Sequence, residues 1–192
     1  MSESNPEIEV RTKILEALRD ASGRVTFDLP KEVEIIKEMV AESYRRGESW
    51  SPTAFVFGRC WPWGAPPPHG EVVAVMISMS MCLDEPDLAA ERLRTVAGGV
   101  GALAVVFAAE TWLAELPEGE TAEGSQERYG RVRDIPGRRE AAVVNVERED
   151  GTSFAWYAFV SRESEHVTIG EWTRADDTTG NMTHFIPASG QA

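Results

Sequence analysis

The chain has only two cysteines, Cys60 and Cys82, among its 192 residues. They are too few for a disulfide framework, and neither lies in a CxxC or zinc-type spacing. Whether they form a single bridge is left open. No apolar run approaches the ~18 residues that a membrane span needs, and the chain does not open on a basic start followed by an apolar segment. A cytoplasmic protein with reduced thiols and no membrane attachment is therefore expected. Positive charge is also scarce: 19 Lys and Arg stand against 32 Asp and Glu, a net charge of −13. A surface that reads a phosphate backbone needs a basic stripe, so direct nucleic-acid binding is not expected. The motifs that cradle phosphates or carry nucleophiles and metals (GxGxxG after a strand, GxxxxGK[ST], GxSxG, HExxH) do not occur. Gly98-Gly99-Val100-Gly101 lies where a helix closes, not where one opens. No cofactor is expected.

What remains is ordinary soluble-domain material, with 42% hydrophobic and 27% charged residues, long enough for one core. Its centre is Val100 to Leu113. Ala102 to Ala109 carry no polar side chain, and Val105, Val106 and Phe107 suit a pleated surface. The run reads as a strand covered on both faces. If that strand continues, Glu110 shares a face with Ala104, Val106, Ala108 and Trp112, which puts a carboxylate at the rim of an apolar layer.

Around this strand the chain divides into an N-terminal helical segment over 1–24, an α+β domain over 25–175 and a tail over 176–192. The first segment holds a helix from Asn5-Pro6 to near Asp20. Asp28 and Pro30 open a second helix whose inner stripe is Val33, Ile36, Val40 and Tyr44. Its outer face is Glu34, Lys37, Glu38 and Glu42, and Arg45-Arg46-Gly47 close it. Thr53 to Phe57 and Glu71 to Leu83 read as strands, with Val73, Val75, Ile77, Met79 and Met81 on one core face. A third helix, opened by Asp84 and Pro86 and ended by Gly98-Gly99, crosses over to the central strand and makes these two strands parallel. The stretch 116–139, rich in charge of both signs, Gly and Pro, reads as a long flexible connector or lid. Glu140–Arg148 and Thr152–Ser161 form a hairpin around Asp150-Gly151, and His166–Thr173 is a further strand. Phe185 and Ile186 in the tail can dock. The sum is a mixed, mostly antiparallel sheet with N-terminal helices and one crossover helix packed on one face, an α+β fold. Its ββαβββ order resembles the profilin, longin and roadblock type of domain, a resemblance of topology alone.

Two places invite function. Gly58 to Gly70 holds Trp61 and Trp63 around a proline, followed by three consecutive prolines. It reads either as a rigid aromatic arm for a partner or as a connection whose tryptophans fold back on the sheet. The second place is Glu110 with Trp112. If Glu140–Arg148 lies antiparallel beside the central strand, Arg138 or Arg139 falls near Glu110. A carboxyl at an apolar rim can act as general acid or base, whereas one beside arginine stays ionised and locks two strands. His69, His166 and His184 have no ligand-type spacing with Glu110 or Glu171, so no metal site is expected. Asp176 to Asn181 reads as a turn, not a calcium loop.

The elements Ala109-Glu110-Thr111-Trp112 and Ile135-Pro-Gly-Arg-Arg-Glu140 also resemble a group of uncharacterised bacterial and phage proteins. That group has an EAW element followed by a P-x-R-x-E element, with Ala often standing where this chain has Thr111. The likeness spans roughly residues 70 to 150 and implies the two-strand unit but no reaction. The expectation that follows first is a non-catalytic cytoplasmic accessory or protein-interaction module, with a protein partner or a second copy of itself on the sheet face or the Trp61/Trp63 loop. The alternative is a small enzyme or ligand-binding domain with a pocket near Glu110, Trp112 and Arg139. A second alternative is an acidic nucleic-acid mimic, which needs its carboxylates on one face.

Overall fold

The computed structural model describes residues 10–19, 21–67, 70–80, 85–114, 122–130, 132–163, 166–175 and 186. Among the described residues the first element is strand β1 (Val10–Leu15), where the expected helix would run. The apolar spacing Ile8, Leu15, Leu18 is too sparse to hold a helix against a core. Val10-Arg-Thr-Lys-Ile-Leu15 carries β-branched residues at alternate positions, and a free sheet edge is available to pair with it. Leu15 is buried while its neighbour Ile14 is 44% exposed, as alternation requires. A two-residue ladder of β2 (Leu18–Arg19) and β3 (Val25–Thr26) follows, turning at Gly23 with φ 81°.

Helix α1 (Leu29–Arg45) begins as its residues dictate: Asp28 Oδ1 accepts from the Lys31 N–H at 3.1 Å, with Pro30 in the first turn. Val33, Ile36, Val40 and Tyr44 are all buried. Lys37, expected to face outward, is buried instead. Its Nζ sits 3.8 Å from the Trp156 ring centroid and 2.8 Å from Glu34 Oε1, so its stem covers core while its charge meets a ring and a carboxylate.

Strands β4 (Thr53–Gly58) and β5 (Val72–Ser78) are antiparallel neighbours. Helix α2 (Pro86–Val100) leads to β6 (Ala102–Leu113), which pairs with the far side of β4. Thus β5 and β6 do run the same way, as a crossover predicts, but β4 lies between them and is antiparallel to both. Helix α2 runs past Gly98-Gly99 and ends at Gly101 in the left-handed region, φ 58°. That end is pinned by close approach. A Cβ on Gly58 would stand 2.5 Å from the Val100 carbonyl oxygen, which accepts the Arg59 N–H at 2.8 Å.

The 116–139 stretch contains regular structure. Helix α3 (Ala122–Tyr129) and a 3-10 turn (Val132–Asp134) occupy it, and Ile135 is 6% exposed, anchoring it to the molecule. Strands β7 (Arg139–Arg148) and β8 (Ser153–Glu163) form the expected hairpin, with Gly151 at φ 80° and Asp150 Oδ1 accepting from Thr152. Strands β9 (His166–Ile169) and β10 (Thr173–Ala175) both pair with β8, interrupted near Gly170, whose N–H bonds the Phe159 carbonyl.

The sheet order is β1-β5-β4-β6-β7-β8-β10, and each described pairing in it is antiparallel. The helices do not share a face. Val33, Ile36 and Val40 of α1 pack with Phe55, Val106 and Val144 on one side, and Ala89, Leu93 and Ala97 of α2 pack with Val56, Val75 and Val105 on the other. The two-sided covering of β6 explains its uninterrupted apolar run. Ile186 also joins the α2 side, its N–H donating to Glu147 Oε1 at 3.1 Å. Asp84, Met81 and Phe185 lie outside the described residues. Among the described residues no helix is long and apolar enough to cross a membrane.

Candidate functional site

The β6–β7 register is antiparallel, with Glu110 opposite Ala142 and Trp112 opposite Glu140. Residues on one face of a ladder alternate, so Glu110, Trp112, Glu140 and Ala142 all point to the α1 side. On β8, Ala158, Val160 and Arg162 continue that face. The last turn of α1 brings Tyr44 over it. The result is a four-membered polar cluster at the rim of the α1-side core.

Its geometry is tight. The Tyr44 hydroxyl donates to Glu110 Oε2 at 3.0 Å. Arg162 Nη2 donates to the same oxygen at 3.0 Å and to Glu140 Oε1 at 2.6 Å, and its Nε reaches Glu140 Oε1 at 2.9 Å. Ser49 Oγ accepts a longer contact from Arg162 at 3.4 Å. Tyr44 is wholly buried, while Glu110 and Arg162 keep 29% and 36% of their side chains exposed. Burial, and next the hydrogen bond with Glu140, raises the Glu110 carboxyl above its ordinary 4.5, against the opposing pull of Tyr44 and Arg162. The Arg162 guanidinium holds Glu140 below that value. One cation serves two carboxylates, so of the pair Glu110 is the one that takes up a proton first as pH falls. Burial and the neighbouring Glu110 keep Tyr44 protonated. The arrangement ties α1, β6, β7 and β8 together.

The structure brings together only part of what the sequence suggested. The arginine on Glu110 is Arg162, not Arg138 or Arg139. Alternation turns Arg139 to the opposite face from Glu140, where its guanidinium lies 3.6 Å from the Phe159 ring centroid. Arg138 stands 5.6 Å from the centroid of Trp112, which is 41% exposed. Arg162 lies inside β8 because that strand runs two residues beyond Ser161, where the sequence pattern predicts its end. His166 is exposed on β9 opposite Glu163, and His69 and His184 lie outside the described residues. Among the described residues no group of three or more His, Cys, Asp or Glu could hold a metal ion.

No family model, curated protein or solved structure matches this chain.

The second candidate lies at the other end of β4. After Gly58 the backbone bends into a turn in which Gly64 N–H bonds the Trp61 carbonyl and Trp61 N–H bonds the Ala65 carbonyl, with Gly64 at φ 87°. Trp61 and Trp63 stack with centroids 5.0 Å apart and planes 4° from parallel. The two outcomes foreseen for them are divided between the pair. Trp61 folds back against the α2-side core. Trp63 lies on top of it, 70% exposed. Cys60 is a free thiol beside this turn, and Cys82 lies outside the described residues.

Proposed function

We propose that this protein is a non-catalytic interaction module of the cytoplasm that contacts a partner protein through the Trp61–Trp63 turn. One observation carries the reading: Trp63 is 70% exposed and held flat on Trp61. A large apolar ring left in water costs free energy, and aromatic side chains of this kind anchor protein interfaces. The Glu110 cluster supports the same view from the other side. Its carboxylates are bonded to Tyr44 and Arg162, as a structural ion-pair network is.

The experiment is a comparison of wild type with Trp63→Ala in affinity capture from the source cells, followed by reconstitution with the purified partner. The variant is expected to keep its melting temperature and to bind about tenfold or more weakly, the loss typical of an interface anchor. Equal affinity of the two proteins for that partner would remove the proposal.

A second reading has an observation of its own. The raised Glu110 carboxyl, next to Glu140 and the half-exposed Trp112, suits a small enzyme or ligand-binding domain. A small acid or amine that raises the melting temperature of wild type but not of Glu110→Gln would favour it. For the architecture we propose the profilin/longin type. The order β5-β4-β6-β7-β8, with α2 crossing between β5 and β6, supports it. Kinship with the bacterial and phage group of the EAW and P-x-R-x-E elements is likewise a proposal, supported by Glu110, Trp112 and Glu140 standing on one face.

A further inference from the structure

Cations lie over aromatic rings at several places in this molecule. Lys37 covers Trp156 at 3.8 Å, Arg139 covers Phe159 at 3.6 Å and Arg174 covers Phe154 at 4.7 Å. Among the described residues two aromatic side chains are exposed, Trp112 and Trp63. Trp112 has Arg138 above it. Trp63 has Trp61 on one face and, among the described residues, no cation on the other.

We infer that the outer face of Trp63 receives an arginine side chain from a basic segment of a partner protein. The inference rests on the reading of this turn as the contact surface and adds the chemistry of what it contacts. An indole offers the strongest cation–π surface of the aromatic side chains, and a planar guanidinium lies flat on it. A lysine ammonium is more strongly hydrated and has no plane to match. The surplus of 13 negative charges, 32 acidic less 19 basic residues, draws a basic segment in. The same surplus repels a nucleic acid, although a base could stack on the ring. Because the turn is closed by its own hydrogen bonds, the ring is already in place when the guanidinium arrives.

The test uses the full chain at low ionic strength and follows the indole N–H resonance of Trp63, assigned by its absence in Trp63→Phe. The probes are a short peptide alternating arginine and glycine, its lysine counterpart, an oligoproline peptide and an oligothymidylate. The arginine peptide is expected to shift Trp63 saturably and to leave the Trp112 resonance in place. Its affinity should fall about fivefold in Trp63→Ala, the share a cation–π contact on an exposed ring carries. Trp63→Phe should retain part of it, and the lysine peptide should bind more weakly. Equal binding by the lysine peptide or by Trp63→Ala, a larger response to oligothymidylate, or no saturable shift each overturns the inference. A shift with oligoproline and none with arginine overturns the arginine assignment alone. The contact reading falls only if the reconstituted partner binds Trp63→Ala as tightly as wild type.

Discussion

Burial raises the Glu110 carboxyl above its ordinary value, and its effect on stability has a definite sign. With a folded-state value raised above 4.5, the folded protein keeps a proton that the unfolded chain gives up. Stability therefore declines as pH rises from about 4.5 through the raised value. Glu140, held low by Arg162, acts oppositely and below 4.5, where its contribution is lost as pH falls. Glu110→Gln keeps an acceptor for Tyr44 and offers Glu140 an N–H. Melting temperature followed across pH should show the variant as stable as wild type or more so at neutral pH, without the decline above 4.5. A slope unchanged by the substitution would contradict the raised Glu110 carboxyl. Arg162→Ala leaves two carboxylates facing each other. The site is partly solvated, so the cost at neutral pH is about 1 kcal/mol, and it should shrink on acidification or when Glu110→Gln is added.

At the scale of the element, two glycines near one another in space should respond in opposite ways. Gly99 is exposed within α2, and a Cβ there meets nothing within 4 Å. Gly99→Ala should stabilise by roughly 0.5–1 kcal/mol through helix propensity. Gly58→Ala would drive its Cβ into the Val100 carbonyl at 2.5 Å. It should destabilise by about 1–3 kcal/mol, as overpacking does, and loosen the α2–β4 junction. Urea unfolding of both variants measures the contrast. The elements themselves were unevenly legible. Helix α1 was readable because the Asp28 cap, the Val33–Tyr44 stripe and Gly47 agree, and the β7–β8 hairpin because Asp150-Gly151 sits between alternating runs. Strand β1 was not. Its alternating Val10, Thr12 and Ile14 permit a strand, but the pairing with β5 that decides for one is non-local. The partner of Glu110 was half readable. The alternation Ala158, Val160, Arg162 already placed that arginine on the right face, and only the length assigned to the strand hid it. Lys37 misled because a charged residue on the flank of an amphipathic helix normally faces water.

Across the whole molecule the sheet is the shared wall between two apolar layers, and β6 and β7 lie in the middle of its strand order. Backbone amides there open only on global unfolding, whereas edge strands exchange through local fraying. Hydrogen exchange should be slowest at Val105, Val106 and Val144 and fastest along β1, β9 and β10. Comparable protection at β1 and β6 would mean the edge is covered by something other than solvent.

The junction of Val100 with Arg59 and Cys60 has a bearing on affinity. Both of these N–H groups bond the Val100 carbonyl, at 2.8 and 3.0 Å, so the base of the indole stack is fixed to the end of α2. For the contact proposed at Trp63 this leaves little backbone entropy to quench, so the enthalpy of contact would largely be kept as affinity. The same rigidity makes Trp63 a reporter, because its near-ultraviolet circular dichroism should be sharp without ligand and change little in shape on binding.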